Sequence, residues 1–144
     1  MYLIDTNVIS ELRKRDRADA GVRSFFVEAE RLKHRLYLSV ITLGELRRGV
    51  ELIRHRGDHS QANTLERWLT TVCDEYQDGI LDFNNESAEV WGRLRVPHPE
   101  HALDKQIAAT AIVHGLTVVT RNAKDFASTG VKVLNPFSNI QTDS

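Results

Sequence analysis

Cysteine is almost absent from this 144-residue chain: Cys73 stands alone, so no internal disulfide can form and Cys-rich zinc modules are excluded. The eight glycines never gather into a phosphate-cradling loop of the P-loop or dinucleotide kind, and no serine sits in a nucleophile elbow. Aromatic residues make up 7%, with no run that would form a base-stacking platform. Charge of either sign is not in excess: 19 Lys and Arg face 20 Asp and Glu, for a net charge of -1. That rules out a strongly basic, non-specific nucleic-acid coat and leaves room for a local basic face or a metal-bridged phosphate site. Long hydrophobic runs are missing as well. The longest mostly apolar stretch, Ile107 to Val119, includes His114 and falls short of the ~20 residues of a membrane span. The opening Met1-Tyr2-Leu3-Ile4-Asp5 lacks the features of a signal peptide. The expectation is a cytoplasmic protein of a reducing compartment, with no membrane partner.

What is present is ordinary globular composition, 41% hydrophobic and 27% charged, without repeats or low-complexity tracts. We expect one domain over residues 1–137 and a polar C-terminal tail over 138–144. Five short, branched or aromatic runs read as strands: 2–4, 36–40, 80–83, 116–120 and 131–134. Between them, apolar residues recur every three or four positions over 8–14, 19–33, 43–54, 65–76, 88–94 and 103–112, which predicts helices, the last closed by Gly115. A segment at 121–130 joins the last two strands. Strands alternating with helices predict an α/β fold around a largely parallel sheet.

Certain acids follow these strands. Asp5 comes directly after the first, Glu45 shortly after the second, and Asp125 after the fourth. Asp104 stands near the start of the helix that leads into the fourth strand. In an open α/β sheet, ligands gather beyond the carboxyl ends of the strands. Strand polarity delivers three of the acids there, and an antiparallel helix delivers Asp104. Carboxylates within ~4–7 Å repel one another by roughly 2–4 kcal/mol per pair at an effective dielectric near 20. Such a cluster is tolerated when protonated, when paired with Arg or Lys, or when it holds a cation. Oxygen-only donors suit Mg2+ or Mn2+ rather than Zn2+. A hard dication beside a phosphate points to metal-dependent phosphodiester hydrolysis. Taken singly, each acid has a plainer reading: Asp5 and Asp104 as helix caps, Asp125 as a surface-loop residue.

Other features read as structural. The spacing His98-x2-His101-x2-Asp104 could suggest a transition-metal site, but Pro97 and Pro99 flank His98 and spoil helical ligand geometry there, so a solvated loop is expected. His55 and His59 are expected at the surface, Cys73 in the core, and Val22, Phe25, Phe26 and the Leu65–Tyr76 stripe against the sheet. One helix face remains a candidate for a second copy or a partner segment. Arg47, Arg48, Arg93 and Arg95 are solvated surface by default and candidate contacts to a nucleic-acid backbone if the site is a nuclease.

The set Leu3-Ile4-Asp5-Thr6-Asn7-Val8-Ile9-Ser10, Leu38-Ser39-Val40-Ile41-Thr42-Leu43-Gly44-Glu45-Leu46, Asp104 with Ile107-Ala108-Ala109-Thr110-Ala111, Val119-Thr120-Arg121-Asn122 through Asp125-Phe126, and Asn135-Pro136-Phe137 resembles a PIN-domain ribonuclease of the VapC/FitB-like toxin group. The resemblance runs from Met1 to Phe137. It implies a three-layer α/β/α fold with a five-stranded parallel sheet of order 3-2-1-4-5. It implies Mg2+- or Mn2+-dependent cleavage of RNA by a metal-activated water, a small cognate antitoxin as partner, and a homodimer. Residue by residue, it makes Asp5 and Asp104 the main metal ligands, Glu45 the acid of the second motif and Asp125 the fourth. Thr6, Asn7 and Thr120 would orient these ligands. In some relatives the fourth acid stands where Asn122 stands here, so Asn122 and Asp125 compete for that role. The alternatives to a ribonuclease are a structure-specific DNase of the same fold and a catalytically silent partner-binding module.

Overall fold

The computed structural model describes residues 1–138, so the expected polar tail lies outside the described residues beyond Ser138. Strands β1 (Tyr2–Ile4), β2 (Leu36–Ser39), β3 (Ile80–Leu81), β4 (Thr117–Val119) and β5 (Val133–Leu134) pair in parallel in the order β3-β2-β1-β4-β5. This is the expected sheet. Neighbouring strand residues feed opposite cores, as the two-residue period requires. Ile4, Leu38 and Val119 pack in one cluster with Val8, Val22, Leu46 and Leu69, while Leu3 and Val118 pack in another with Ile107, Ala108, Ala111 and Phe126. Both faces of the sheet are therefore covered, which is why its strands read as unbroken apolar runs.

The helices are α1 (Thr6–Glu11), α2 (Ala20–Arg31), α3 (Val40–His55), α4 (His59–Glu75), α5 (Asn85–Leu94), α6 (Ala102–His114) and α7 (Ala123–Phe126). Helix α6 buries Ile107 through Ala111 completely, and its small side chains let it lie close to the sheet. Gly115 ends it with φ 66, the left-handed cap expected from sequence. Val22, Leu65, Leu69 and Val72 are buried, and Phe25, Phe26 and Cys73 are packed against the same core.

Several boundaries differ from the sequence reading, and local caps explain most of them. The first helix starts at Thr6, because Asp5 caps it, and ends at Glu11, where the chain tightens into a 3-10 turn containing Arg15 at φ 54. Helix α4 starts six residues before its apolar stripe, where the Asp58 side chain accepts a hydrogen bond from the Gln61 N–H. The segment after β4 is partly helical: α7 buries only Phe126 and is too short to show a period. The fifth strand is shorter than expected.

The start of α2 clamps the chain that follows β5. The Asp19 carboxylate caps Val22 (3.1 Å) and accepts from both the backbone N–H (2.9 Å) and the hydroxyl (2.7 Å) of Ser138. A Cβ at Gly21 would lie 2.2 Å from the Pro136 carbonyl oxygen and 2.7 Å from the Ser138 nitrogen. Both atoms are backbone, so the segment would have to move. Gly21→Ala is expected to cost about 1–3 kcal/mol by overpacking, and a thermal melt showing a drop of several degrees would record it.

Candidate active site

Asp5 is the first residue past β1, and its N–H donates to the Val119 carbonyl of β4 at 2.9 Å. From β1 the chain crosses to β2 on one side, while β4 lies on the other, so Asp5 sits where the strand order reverses. This is the crevice at which open α/β sheets bind ligands. Asp5 is only 3% exposed, and its two oxygens have separate partners. Oδ1 accepts from the Thr6 N–H (2.8 Å), which is the cap of α1. Oδ2 accepts from the Thr120 hydroxyl (2.7 Å) and the Asn7 amide (3.4 Å). Capping and site duty thus coexist in one carboxylate.

Thr120 follows β4, is fully buried, and its hydroxyl is saturated. The Asn122 N–H (3.0 Å) and the Asn7 amide (3.3 Å) both donate to its oxygen, which leaves its single proton for Asp5. Asn7 also accepts from the Arg121 N–H (3.0 Å), and so ties the ends of β1 and β4 together. The Thr6 hydroxyl contacts that of Thr42 (3.4 Å).

Glu45 lies on α3, which begins immediately after β2. Asp104 lies in the first turn of α6, whose left-handed Gly115 cap turns the chain back into β4. Asp104 is not the cap of that helix: the cap position is His101, which makes no side-chain capping bond. Asp125 is carried by α7. Burial raises the pKa of Asp5 despite the hydrogen bonds from Thr120 and Thr6, and the charge on Asp125 adds to the rise. Burial raises Glu45, followed by repulsion from Asp5 and Asp104. Burial also raises Asp104, with Asp5 and Asp125 adding to it and His101 easing it. Asp5 and Asp104 therefore lie within each other's fields and within those of Glu45 and Asp125. Asn122 is exposed and contributes its N–H to Thr120, whereas Asp125 turns its charge toward Asp5 and Asp104.

The arginines singled out in the sequence fare differently. Arg47 is held by Glu66 (2.6 Å) and Glu51 (3.7 Å). The Arg95 guanidinium stacks over Trp91 at 4.7 Å, while Arg48 and Arg93 are exposed. His55 and His59 are exposed, as expected.

Sequence reasoning missed two features. His98 and His101 are both exposed in the loop before α6, as expected, but His101 also comes close to the acids. Its Nε2 stands 4.0 Å from Asp125 Oδ1. One ring nitrogen of His101 and one carboxylate oxygen each from Asp104 and Asp125 all lie within 4.8 Å of one another. The spacing signal was present, but the left-handed backbone that turns His101 toward the acids is not encoded in periodicity. The second feature is a groove of about 810 Å³ lined by Arg13, Lys14, Arg15, Arg17 and Arg67 beside Trp68. It shares Arg13, Leu65 and Trp68 with a smaller cleft of about 120 Å³ that reaches Thr6 and Glu45. Four of these cations form the local run Arg13-Lys14-Arg15-Asp16-Arg17, but that Arg67 and Trp68, some 50 residues on, join them is announced by no local pattern.

Chemically, the acid set fits a hard divalent cation. Its oxygen donors repel one another and are partly desolvated, and a dication between them removes both penalties.

Comparison with known proteins agrees with this fold. Residues 2–132 match the family described as PIN domain. The chain is 37% identical over 146 residues to toxin FitB of Neisseria gonorrhoeae, covering 95% of this chain and 99% of that one. It is 31% identical over 140 residues to VapC ribonuclease Y4jK of Sinorhizobium fredii, covering 95% and 98%. Among solved structures, FitAcB from Neisseria gonorrhoeae superposes with a TM-score of 0.80 at 35% identity, covering 94% of this chain and 98% of that one. A toxin-antitoxin complex from Klebsiella pneumoniae gives 0.60 at 26% identity, covering 95% and 98%.

Proposed function

The chain belongs to the PIN domain family, in its VapC/FitB-like toxin group, and on that premise we propose that it is a Mg2+- or Mn2+-dependent endoribonuclease whose partner is a cognate antitoxin. The observation that carries this reading is the meeting of Asp5, Glu45, Asp104 and Asp125 at the β1–β4 crevice. They come from four separate segments, and a purely structural role for so many facing acids has no energetic advantage.

Asp5 and Asp104 would hold the cation, with Glu45 and Asp125 completing its surroundings. When bound, the ion supplies positive charge against the scissile phosphate and activates a water. Asp5 is pre-set for this task, since Thr6 and Thr120 fix both of its oxygens before any ligand arrives. Glu45 is half-buried and has a raised pKa, so it is suited to accept a proton from the attacking water or to orient it. Chain and substrate are both polyanions at this point, so cations must seat the phosphates on either side. The groove of Arg13, Lys14, Arg15, Arg17 and Arg67 adjoins the cleft at Glu45 and offers that charge to a single strand, with Trp68 as one stacking surface. The antitoxin is supported by the toxin name of one relative and by the Klebsiella complex.

The test is cleavage of matched single-stranded RNA and DNA oligonucleotides by the purified chain in EDTA, Mg2+ and Mn2+. We expect RNA to be cut only with a cation and DNA to be spared. Equal or faster cutting of DNA would replace the reading with the DNase. No cutting together with no cation binding would leave a silent module.

A further inference from the structure

We propose that His101 supplies a nitrogen ligand to the cation held by Asp104 and Asp125, so that this chain's centre is a mixed nitrogen and oxygen site that favours Mn2+ over Mg2+. The inference rests on the reading that these acids hold a dication, and it adds to that reading both a ligand and a metal preference.

The geometry has three parts. First, the donors are spaced for an ion. Nε2 of His101 is 4.0 Å from Asp125 Oδ1, too far for a hydrogen bond. Ligands on a six-coordinate ion of this size lie about 3 Å apart when adjacent and about 4.2–4.4 Å apart when opposite. The donor atoms of His101, Asp104 and Asp125 all lie within 4.8 Å of one another, so a small side-chain movement would close the group on an ion.

Second, His101 is held in place by the helix that carries Asp104. Its backbone is left-handed, φ 56 and ψ 46, a conformation uncommon outside glycine and asparagine. Its carbonyl accepts from the Lys105 N–H at 2.9 Å. The Lys105 side chain is 3% exposed, and its ammonium donates to the His98 carbonyl, tying the loop before α6 to the helix itself. His101 and Asp104 therefore move as one unit.

Third, the donor chemistry changes the ion. Carboxylate and water oxygens suit Mg2+ and Mn2+ alike, whereas an imidazole nitrogen adds affinity for transition ions and little for Mg2+. A site made of acids alone would not discriminate in this way.

The experiment uses the full chain and two probes, MnCl2 and MgCl2. Calorimetry gives the affinities, and pulsed EPR of the Mn2+ complex reads nitrogen coordination through its 14N modulation. The variant is His101→Asn, since asparagine tolerates the left-handed backbone and so preserves the loop, with a thermal melt as the check on folding. In the parent we expect Mn2+ to bind at least about tenfold more tightly than Mg2+ and to show 14N modulation. In His101→Asn we expect the modulation to vanish and Mn2+ to weaken by about tenfold, with Mg2+ nearly unchanged. Mn2+ binding that needs Asp104 but shows no 14N modulation, or modulation that survives His101→Asn, overturns the nitrogen ligand and leaves the acid centre standing. A parent that binds neither ion overturns the acid centre as well.

Discussion

Replacing Asp104 with asparagine is expected to lower cation-dependent RNA cleavage by on the order of 10²–10³-fold and, in metal-free buffer, to raise the melting temperature. The two effects have opposite signs for one reason. Asp104 is half-buried, faces Asp5 and Asp125, and makes no capping bond that its loss would break. Its folded-state pKa lies above the unfolded value. Below the unfolded pKa, near 4, both states are protonated and nothing is lost. As pH rises beyond that point the unfolded chain releases its proton first, so stability falls with pH until the folded group also ionises, and it stays lower above. Asp5 and Glu45 have the same sign. The parent without metal is therefore expected to lose stability as pH rises past about 4. Mn2+ should restore it at neutral pH, and Asp104→Asn should flatten the profile. Melts from pH 4 to 8 in EDTA and in Mn2+, beside a cleavage assay, would decide. A variant that cuts RNA at the parental rate would remove Asp104 from the site. A metal-free variant less stable than the parent would mean that Asp104 holds the fold rather than the ion.

Thr120→Val is the second substitution with a large expected effect, although Thr120 need not touch substrate. Valine fills the same volume without the hydroxyl. Asp5 Oδ2 would lose its 2.7 Å donor, and the Asn122 N–H and Asn7 amide would both lose their shared acceptor. Removing the donor of the buried Asp5 oxygen costs roughly 1–3 kcal/mol, and ligands robbed of their supporting hydrogen bonds typically lose 10–100-fold in metal affinity or activity. A merely structural role would lower the melting temperature and leave cation affinity alone. A positioning role predicts that Mn2+ affinity also falls, because the Thr120 bond favours the ionised form of Asp5. Thr120→Ser should rescue the affinity. If Thr120→Val binds Mn2+ as tightly as the parent, the hydroxyl does not orient Asp5 for the ion.

Much of the architecture was legible in the residues. Two-residue alternation is invisible in strands buried on both faces, yet the short branched runs at Tyr2–Ile4, Leu36–Ser39 and Thr117–Val119 announced a covered parallel sheet. The order of that sheet came from the resemblance rather than from pattern, because periodicity carries no information on which strands pair. Helix ends set by side-chain caps were the weak point: α4 begins at His59, well before its stripe, because Asp58 caps it. A four-residue helix such as α7 is too short to register at all.

By itself, then, the sequence determined the covered parallel sheet and delivered Asp5, Glu45, Asp104 and Asp125 to its carboxyl edge. Burial on both faces dictates residue type, and strand polarity dictates which end a following residue occupies. Only the tertiary structure decided which groups meet there. It set the charge of Asp125 against Asp5 and Asp104, brought His101 to within 4.0 Å of Asp125 through one left-handed residue, committed Arg47 to Glu51 and Glu66, and joined Arg13 through Arg17 to Arg67 in one groove. Those outcomes turn on distances of an ångström or two between segments remote in the chain. Packing fixes such distances, and no local pattern of residues records them.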